Sequence, residues 1–153
     1  MDPMIEEFKC ESPENTFELG EMVGAKLVDG DVVLLFGGLG AGKTLLTKGI
    51  MAALEFDIDE VTSPSFSLVN LYKTPTFDVY HIDLWRIDPA HDPAAAVGLD
   101  EIFEYPNAVT IIEWADRLRN VVFPNRTIKI NITGDGDEPR RIGIKYDKVE
   151  VPI

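Results

Sequence analysis

The sequence lacks the features of a disulfide-bonded or membrane-embedded protein. Cys10 is the only cysteine and lies among polar residues, so no intramolecular disulfide can form and we expect an inert thiol. The longest uncharged apolar run, Val32 to Phe36, is far shorter than the ~20 residues of a membrane-spanning helix. The acidic residues Asp2, Glu6 and Glu7 occupy the region where a signal peptide would have a basic start. The composition therefore predicts a soluble, cytoplasmic protein with no membrane partner.

Basic residues are also scarce. Fourteen Lys and Arg stand against 27 Asp and Glu, which gives a net charge of −13 over 153 residues. A surface this acidic repels polyphosphate at long range, so we do not expect direct nucleic acid binding. The length and the 45% hydrophobic content suit one core, and no linker divides the chain, so we predict a single domain over residues 1–153.

The apolar pattern predicts alternating helices and strands. Ser12 followed by Pro13 indicates the start of a helix, which should end near Asp29-Gly30. Val32 to Phe36 is apolar at every position, which is typical of a strand buried on both faces, and a helix should span Lys43 to Leu54. Further strands are predicted at 65–72, 79–84 and 108–114, a helix at 92–103, and a hairpin of 127–132 and 142–146 with its turn at 134–137. We therefore predict a three-layer α/β domain whose central sheet mixes parallel and antiparallel strands.

A phosphate-binding loop lies between the first apolar strand and the second helix. Its eight residues match G-x-x-x-x-G-K-S/T without a gap: Gly37, Gly38, Leu39, Gly40, Ala41, Gly42, Lys43 and Thr44. In such a loop the backbone N–H groups surround a phosphate, the lysine reaches the β and γ phosphates, and the threonine hydroxyl binds Mg²⁺. The motif predicts a P-loop NTPase-like fold that binds a nucleotide with Mg²⁺ through residues 38–44.

Two acids end predicted strands and could serve the same site. Glu113 follows an apolar strand, where its charge would be costly unless it faced a cation or solvent, and Asp83 ends another strand in the same way. A P-loop protein needs acids here to hold Mg²⁺ and to orient the attacking water, so we assign catalytic roles to Lys43, Asp83 and Glu113. A solvated acid at a strand end is the alternative for each carboxylate. His81 is interpreted as a packed or surface histidine.

The remaining sequence narrows the class of nucleotide-binding protein. No N-K-x-D run follows the late strands, which disfavours a GTPase, and no S-G-G-Q signature of a transporter ATPase is present. A small nucleotide or metabolite kinase remains the alternative, although the arginines are scattered instead of clustered in a lid. A third hypothesis is an interaction protein for which ATP is only a conformational ligand.

Four motifs in order resemble the TsaE family, whose members were formerly called YjeE. After the phosphate loop come S-P-S-F-S-L-V at 63–69, H-I-D-L-W-R at 81–86 and I-E-W at 112–114. The likeness runs from about Thr16 to Trp114 and continues weakly in the tail. Ser65 stands where the family usually has threonine, and Trp85 stands where it usually has tyrosine. A hydroxyl and an aromatic ring are thus retained.

The resemblance implies an Mg²⁺-dependent ATPase, slow alone and stimulated by partners, that sustains threonylcarbamoyladenosine synthesis in tRNA together with the TsaB–TsaD pair. It also implies positions for ATP and Mg²⁺. Thr44 and Glu113 would bind Mg²⁺, Asp83 would lie at the phosphates, residues 63–65 would form a switch-like loop, Pro13 would border the adenine, and Arg140 or Arg141 would touch the nucleotide. The sequence leaves open which of the two arginines does so, whether Asp83 or Glu113 orients the water, and the oligomeric state.

Overall fold

A computed structural model describes residues 5–38, 42–62, 64, 68–85, 87–88 and 90–148. Within them lies one seven-stranded sheet with strand order β1-β7-β6-β2-β5-β4-β3. The strands are β1 (Ile5–Cys10), β2 (Val32–Phe36), β3 (Val69–Lys73), β4 (Asp78–Asp83), β5 (Ala108–Glu113), β6 (Thr127–Thr133) and β7 (Arg140–Asp147). The helices are α1 (Pro13–Ala25), α2 (Lys43–Ala53), α3 (Pro93–Val97) and α4 (Leu99–Ile102).

The centre of the sheet is parallel and its margins are antiparallel. Strand β2 pairs in parallel with β5 and β6, and β4 pairs in parallel with β5. Strands β3 and β7 pair antiparallel with β4 and β6, and β1 pairs antiparallel with β7. The sheet is therefore mixed, as predicted, and the carboxyl ends of its four parallel strands meet at one edge.

Both faces of the sheet are covered by helices. Val33 and Leu35 of β2 pack into a core with residues of α1 and α2, whereas Val32 and Leu34 pack into a second core with residues of α3 and α4. Burial of each such side chain stabilises the fold by about 1.5–3 kcal/mol. The two cores make a three-layer α/β arrangement, which explains why β2 is apolar at every position.

Glycines bring α1 and α2 into backbone contact. A Cβ atom added to Gly20 would lie 2.3 Å from the Leu46 carbonyl oxygen, and one added to Gly49 would lie 2.1 Å from the Phe17 carbonyl oxygen. Further along, Gly24 meets Ile50 and Ala53 in the same way. Because these contacts advance in step along both helices, the helices run parallel and their N-termini lie at the same end.

Several predicted boundaries were wrong. Helix α1 ends at Ala25, four residues before Asp29, because the Lys26 N–H bonds back to the last turn and the chain leaves the helix there. The predicted helix at 92–103 is two short helices, since Gly98 adopts a left-handed φ of 68° between them. The strand predicted at 65–72 begins at Val69, after Leu68 with a φ of 63°, and residues 65–67 lie outside the described residues.

The N-terminal stretch was not predicted to be a strand. Residues Ile5–Cys10 form the edge strand β1, and Cys10 at its end is only 4% exposed. Burial raises the pKa of the Cys10 thiol, and a hydrogen bond with Thr16 partly counteracts this. A protonated, buried thiol agrees with the expected inert cysteine. In the part of the chain that the structure describes, no helix is both long and apolar enough to cross a membrane.

Candidate functional site

Lys43 is the first residue of α2 and follows the loop that leaves the carboxyl end of β2. Its ammonium group donates hydrogen bonds to the carbonyl oxygens of Gly37 (2.5 Å) and Gly38 (3.1 Å). The side chain is buried, and Nζ lies 3.9 Å from the centroid of the Trp114 ring. Burial lowers the pKa of Lys43, whereas nearby carboxylates raise it in part, and those carboxylates belong to Glu113, Asp83 and Asp116. Lys43 is therefore close enough to three carboxylates for their negative charges to favour its protonated form.

The N-terminus of α2 lacks the capping seen in α1. In α1 the Ser12 side chain accepts a hydrogen bond from the Asn15 N–H at 3.2 Å. In α2 the N-cap is Gly42, whose φ of 109° suits glycine, and no side chain among the described residues caps the helix. The first amides of a helix need acceptors and carry its positive dipole end. This end of α2 is therefore suited to receive an anion.

Asp83 and Glu113 lie side by side at the carboxyl ends of β4 and β5. They are register partners across the parallel pair, and Glu113 is also the register partner of Leu35 in β2, which lies two residues before the loop. Asp83 is half-buried, and its Oδ1 accepts a hydrogen bond from the Trp85 N–H at 2.9 Å. Burial raises the pKa of Asp83 and Glu113 adds to the effect, while the Trp85 N–H, His81 and Lys43 oppose it. The two predicted acids are thus brought together next to the loop.

Glu113 is buried away from bulk solvent. It is 3% exposed, and its Oε2 lies 2.6 Å from the Nε2 of His81. His81 is completely buried, which confirms the packed reading and excludes the surface reading. The alternative interpretation of Glu113 as a solvated acid at a strand end was wrong, because the side chain is buried and a histidine on the neighbouring strand supplies its hydrogen bond.

Two tryptophans extend from the lysine to the surface. Trp114 packs against Trp85 with ring centroids 4.3 Å apart and ring planes tilted by 33°, and the Arg117 guanidinium lies 4.9 Å from the Trp85 centroid. Trp85 is 41% exposed, so it packs on one face only. Attraction between cations and aromatic faces contributes roughly 0.5–1 kcal/mol at exposed sites. Trp114 therefore covers one side of Lys43, and Trp85 connects Trp114 to the surface.

A cavity of about 320 Å³ adjoins the N-termini of α1 and α2. Pro13, Thr16, Gly42 and Leu45 line it from the helices, and Arg140 lines it from the β6–β7 hairpin. Arg141 is not among the lining residues. The Arg140 guanidinium donates hydrogen bonds to the carbonyl oxygens of the turn residues Glu138 and Gly136. Of the two arginines left open by the sequence, the structure therefore brings Arg140 to this cavity together with Pro13 and Gly42.

A larger cavity of about 640 Å³ lies between residues 87–93 and 116–120. None of the residues predicted for nucleotide or metal binding lines it. Asp116 lines this larger cavity, and its carboxylate also raises the pKa of Lys43, so Asp116 lies between the cavity and the candidate site. The smaller cavity is the one at which the predicted residues assemble.

The family model described as "Threonylcarbamoyl adenosine biosynthesis protein TsaE" matches residues 10–142 of the chain. The chain belongs to the TsaE family. The match includes every described strand except part of β1 and β7, and it covers the loop, both acids and the small cavity. It therefore includes the whole candidate site.

Curated members of the family agree with this assignment over most of the chain. The TsaE protein of Bacillus subtilis is 34% identical over 131 residues, which are 86% of this chain and 79% of that protein. The TsaE protein of a Nostoc species is 34% identical over 144 residues, which are 92% and 85% of the two chains. The crystal structure of YdiB from Bacillus subtilis superposes with a TM-score of 0.71 and 28% identity, covering 98% of this chain and 89% of that one.

The residues that could hold Mg²⁺ do not form a complete metal site by themselves. In the described parts of the chain, no three or more His, Cys, Asp or Glu side chains are grouped to hold a metal ion. Thr44 is exposed at the start of α2, and Glu113 and Asp83 lie at the neighbouring strand ends. Because Mg²⁺ usually takes one or two carboxylates, several waters and substrate phosphates, this donor set fits an ion that arrives with a nucleotide.

Some predicted residues cannot be placed, and others were missed. Leu39, Gly40 and Ala41 of the loop lie outside the described residues, as do Ser63 and Ser65. The roles of His81, Trp114 and Asp116 beside the site were missed. Neither histidine nor tryptophan had a spacing that pointed to the loop, and Asp116 lies in a 3-10 turn that follows β5.

Proposed function

We propose that this chain is a P-loop NTPase-like ATPase that binds Mg-ATP and serves threonylcarbamoyl modification of adenosine in tRNA. One observation carries the proposal: Lys43, Asp83 and Glu113 converge at the uncapped N-terminus of α2, where the G-x-x-x-x-G-K-T loop ends. Family membership supports the role in tRNA modification. The structural likeness to YdiB supports the fold.

The proposed site binds the triphosphate by charge and by main-chain amides. The loop from Gly38 to Thr44 and the start of α2 would donate N–H groups to the phosphates, and the Lys43 ammonium would turn from its own loop carbonyls toward the β and γ phosphates. The cavity beside Pro13 and Arg140 would take the nucleoside. An anion binding here replaces backbone carbonyls as the partner of a partly desolvated lysine, which favours binding.

Thr44 and Glu113 would hold Mg²⁺, and Asp83 would lie at the phosphates. When bound, the ion neutralises charge that develops on the transferred phosphoryl group. The protein's own task is to keep the two carboxylates on rigid strand ends and to limit water around them, which burial of Glu113 and partial burial of Asp83 achieve.

The proposed partners are the TsaB and TsaD proteins. The net charge of −13 disfavours direct contact with tRNA, so another subunit would hold the tRNA while this chain supplies ATP hydrolysis. Slow hydrolysis by the isolated chain and faster hydrolysis in the complex are expected.

The test is ATP hydrolysis with and without purified TsaB–TsaD, comparing Lys43→Ala with Lys48→Ala. Lys48 lies on the same helix, one and a half turns further from the loop, and serves as the matched control. We expect Lys43→Ala to lower hydrolysis by about 100-fold or more, as for loss of a group that stabilises transition-state charge, and Lys48→Ala to leave it unchanged. An unchanged rate for Lys43→Ala would reject the proposal.

The same assay separates the other two hypotheses. Transfer of the γ-phosphate to an acceptor instead of water would indicate a kinase. Tight ATP binding without hydrolysis in a single turnover inside the assembled complex would indicate a conformational ligand.

Arginine substitutions test the position of the nucleoside. A hydrogen bond to a charged group contributes about 1.5–3 kcal/mol, so Arg140→Ala should weaken ATP binding roughly 10- to 100-fold in calorimetry. Arg141 is the next residue of the same strand and does not line the cavity, so Arg141→Ala should bind ATP like the unmodified chain. Equal losses in the two variants would place the nucleoside elsewhere.

A further inference from the structure

Behind Glu113 lies a continuous line of hydrogen bonds that is buried at His81 and reaches the surface at Thr62. Glu113 Oε2 is 2.6 Å from His81 Nε2, and His81 Nδ1 is 3.1 Å from the hydroxyl of Tyr72. The Tyr72 hydroxyl lies 2.9 Å from the Thr62 carbonyl oxygen and 3.3 Å from the Thr62 nitrogen. Asn70, the register partner of His81, also reaches the Tyr72 hydroxyl at 3.3 Å. Three strands and a preceding loop residue are thus joined.

The donors and acceptors in this line can be assigned by counting protons. A carboxylate has no proton to give, so His81 Nε2 must carry the hydrogen that Glu113 accepts. The other ring nitrogen, Nδ1, then accepts the hydrogen of the Tyr72 hydroxyl. The Tyr72 oxygen in turn accepts from the Thr62 N–H and the Asn70 amide, and the Asn70 amide also donates to the Thr62 carbonyl oxygen. The single hydrogen of the Tyr72 hydroxyl has two acceptors within reach, His81 Nδ1 at 3.1 Å and the Thr62 carbonyl oxygen at 2.9 Å. With Nδ1 as its acceptor, the Asn70 amide is the donor to the Thr62 oxygen.

The arrangement occupies space that apolar side chains could fill. Strand β5 is buried at all six of its positions, and His81 and Glu113 are 0% and 3% exposed. Burying such groups costs free energy unless each is paired, and a well-packed apolar pair of similar volume is often as stable or more stable. Stability alone therefore gives little reason for this pair. Its effect is to hold one oxygen of Glu113, because the hydrogen bond within the described residues falls on Oε2.

We propose that His81 is a positioning residue for Glu113: it fixes the carboxylate through Nε2–H, while Tyr72 fixes the ring by occupying Nδ1. Oε1 is then the oxygen presented to Mg²⁺ or its water. This inference rests on the proposed function, in which Glu113 serves the metal. Groups that orient metal ligands typically change metal affinity or activity 10- to 100-fold when they are removed.

Two substitutions at His81 separate orientation from mere packing. Gln places an amide N–H where Nε2 stands and can still donate to Glu113, whereas Asn reaches only the position of Nδ1 and loses that bond. We expect His81→Asn to lower kcat for ATP hydrolysis about 10- to 100-fold and to raise the Mg²⁺ concentration needed for half-maximal rate. His81→Gln should recover most of both losses. Affinity for ATP measured without Mg²⁺ should be the same in both variants.

A second readout needs neither nucleotide nor metal. The chain has two histidines, so ¹⁵N–¹H correlation spectra of the imidazole rings can be assigned by comparison with His91→Gln. We expect His81 to be the Nε2–H tautomer in the ligand-free protein, and exposed His91 to exchange between tautomers. In Tyr72→Phe the Nε2–H bond to Glu113 should persist, because the carboxylate still needs a donor, whereas the Nδ1 resonance should shift because its hydroxyl partner is removed.

The outcomes distinguish this inference from the function on which it rests. If unmodified protein hydrolyses ATP and Lys43→Ala does not, the proposed function stands. The inference about His81 is then overturned by an Nδ1–H tautomer, or by equal losses in His81→Gln and His81→Asn, since equal losses would indicate a packing role. It is also overturned if His81→Asn keeps the Mg²⁺ dependence of the unmodified chain. If unmodified protein neither binds nor hydrolyses ATP, the proposed function fails first.

Discussion

Buried charged side chains at the two ends of β2 differ in their partners. At the amino end, Asp31 is 1% exposed, and both of its oxygens accept hydrogen bonds from Arg126, at 3.0 Å and 2.6 Å. Its Oδ2 also accepts the Val28 N–H at 2.8 Å. At the carboxyl end, Lys43 turns to carbonyl oxygens of its own loop while the pKa of Asp83 is raised by burial.

Asp31 and Arg126 are therefore charges that stabilise the fold, whereas Lys43 and Asp83 are charges that would bind a ligand under the proposed function. Side-on pairing with Asp31 raises the pKa of Arg126, so the pair favours the charged form of the guanidinium. At the opposite end, burial disfavours the charged forms of both Lys43 and Asp83. A phosphate and its metal ion would provide the counter-charges that this end lacks. Changes at the first end should therefore cost stability, and changes at the second should cost activity.

The largest expected effect on stability is that of Arg126→Ala. Removing one partner of a buried ion pair leaves an uncompensated charge and costs 3–5 kcal/mol; because the Arg126 side chain is 31% exposed, we expect about 3 kcal/mol. For a chain of this size that lowers Tm by roughly 6–12 °C in calorimetry. ATP hydrolysis per folded molecule should not change.

A double substitution checks the origin of that loss. In Arg126→Ala with Asp31→Asn no buried charge is left unpaired, so the combined loss of stability should be smaller than the sum of the single losses. Strict additivity, or a loss of ATP binding at unchanged Tm, would contradict the assignment of this pair to the fold.

The opposite result is expected for Asp83→Asn. The amide keeps the Oδ1 that accepts the Trp85 N–H but removes a charge that burial disfavours, so Tm should stay the same or rise. Hydrolysis should fall about 100-fold, because the carboxylate that would serve Mg²⁺ or orient the attacking water is lost. Both quantities are read from the same preparation by calorimetry and phosphate release.

Asp88 provides a matched control for that substitution. It makes the same local bond, its Oδ1 accepting the Ala90 N–H at 2.9 Å, but it is exposed. Asp88→Asn should change neither Tm nor hydrolysis. A fall in Tm for Asp83→Asn, with activity retained, would show that Asp83 belongs with the structural charges of the other end.

The smallest expected effect is a pH dependence of stability. Because the pKa of Asp83 is higher in the folded protein than its ordinary value, the folded state holds this proton where the unfolded state has lost it. The resulting stability is present below the ordinary aspartate pKa of about 3.9 and is lost as pH rises through the folded value. Unmodified protein should therefore lose Tm relative to Asp83→Asn over that interval. A constant difference between their melting curves across pH would contradict this.

The sequence predicted the elements whose signals are local. Val32–Phe36 is apolar throughout and is followed by a contiguous loop motif, so strand, loop and helix could be assigned together. Strand β1 could not, because it is an edge strand whose Glu6, Glu7 and Lys9 are solvated and hide the alternation. The break at Gly98 was missed because one glycine is compatible with a helical pattern until its φ is known.

The candidate site was predicted in its residue types but not in its contacts. Glu113 and Asp83 could be proposed from their positions at strand ends. Their pairing, and the bond between Glu113 and a histidine 32 residues away, depend on the register of β4 against β5, which no local pattern encodes. Arg140 and Arg141 are equivalent in sequence, and only the turn of the β6–β7 hairpin directs one of them to the cavity.

The glycine contacts between α1 and α2 limit how this molecule can respond to a ligand. Where main chains touch at Gly20 and Gly49, neither helix can slide or tilt without collision, so the pair should move as one body. The cavity wall at Pro13 and the amides before Leu45 belong to that body. Any rearrangement that accompanies nucleotide turnover must then take place across the sheet edge, in the strands carrying Asp83 and Glu113 and the segments attached to them.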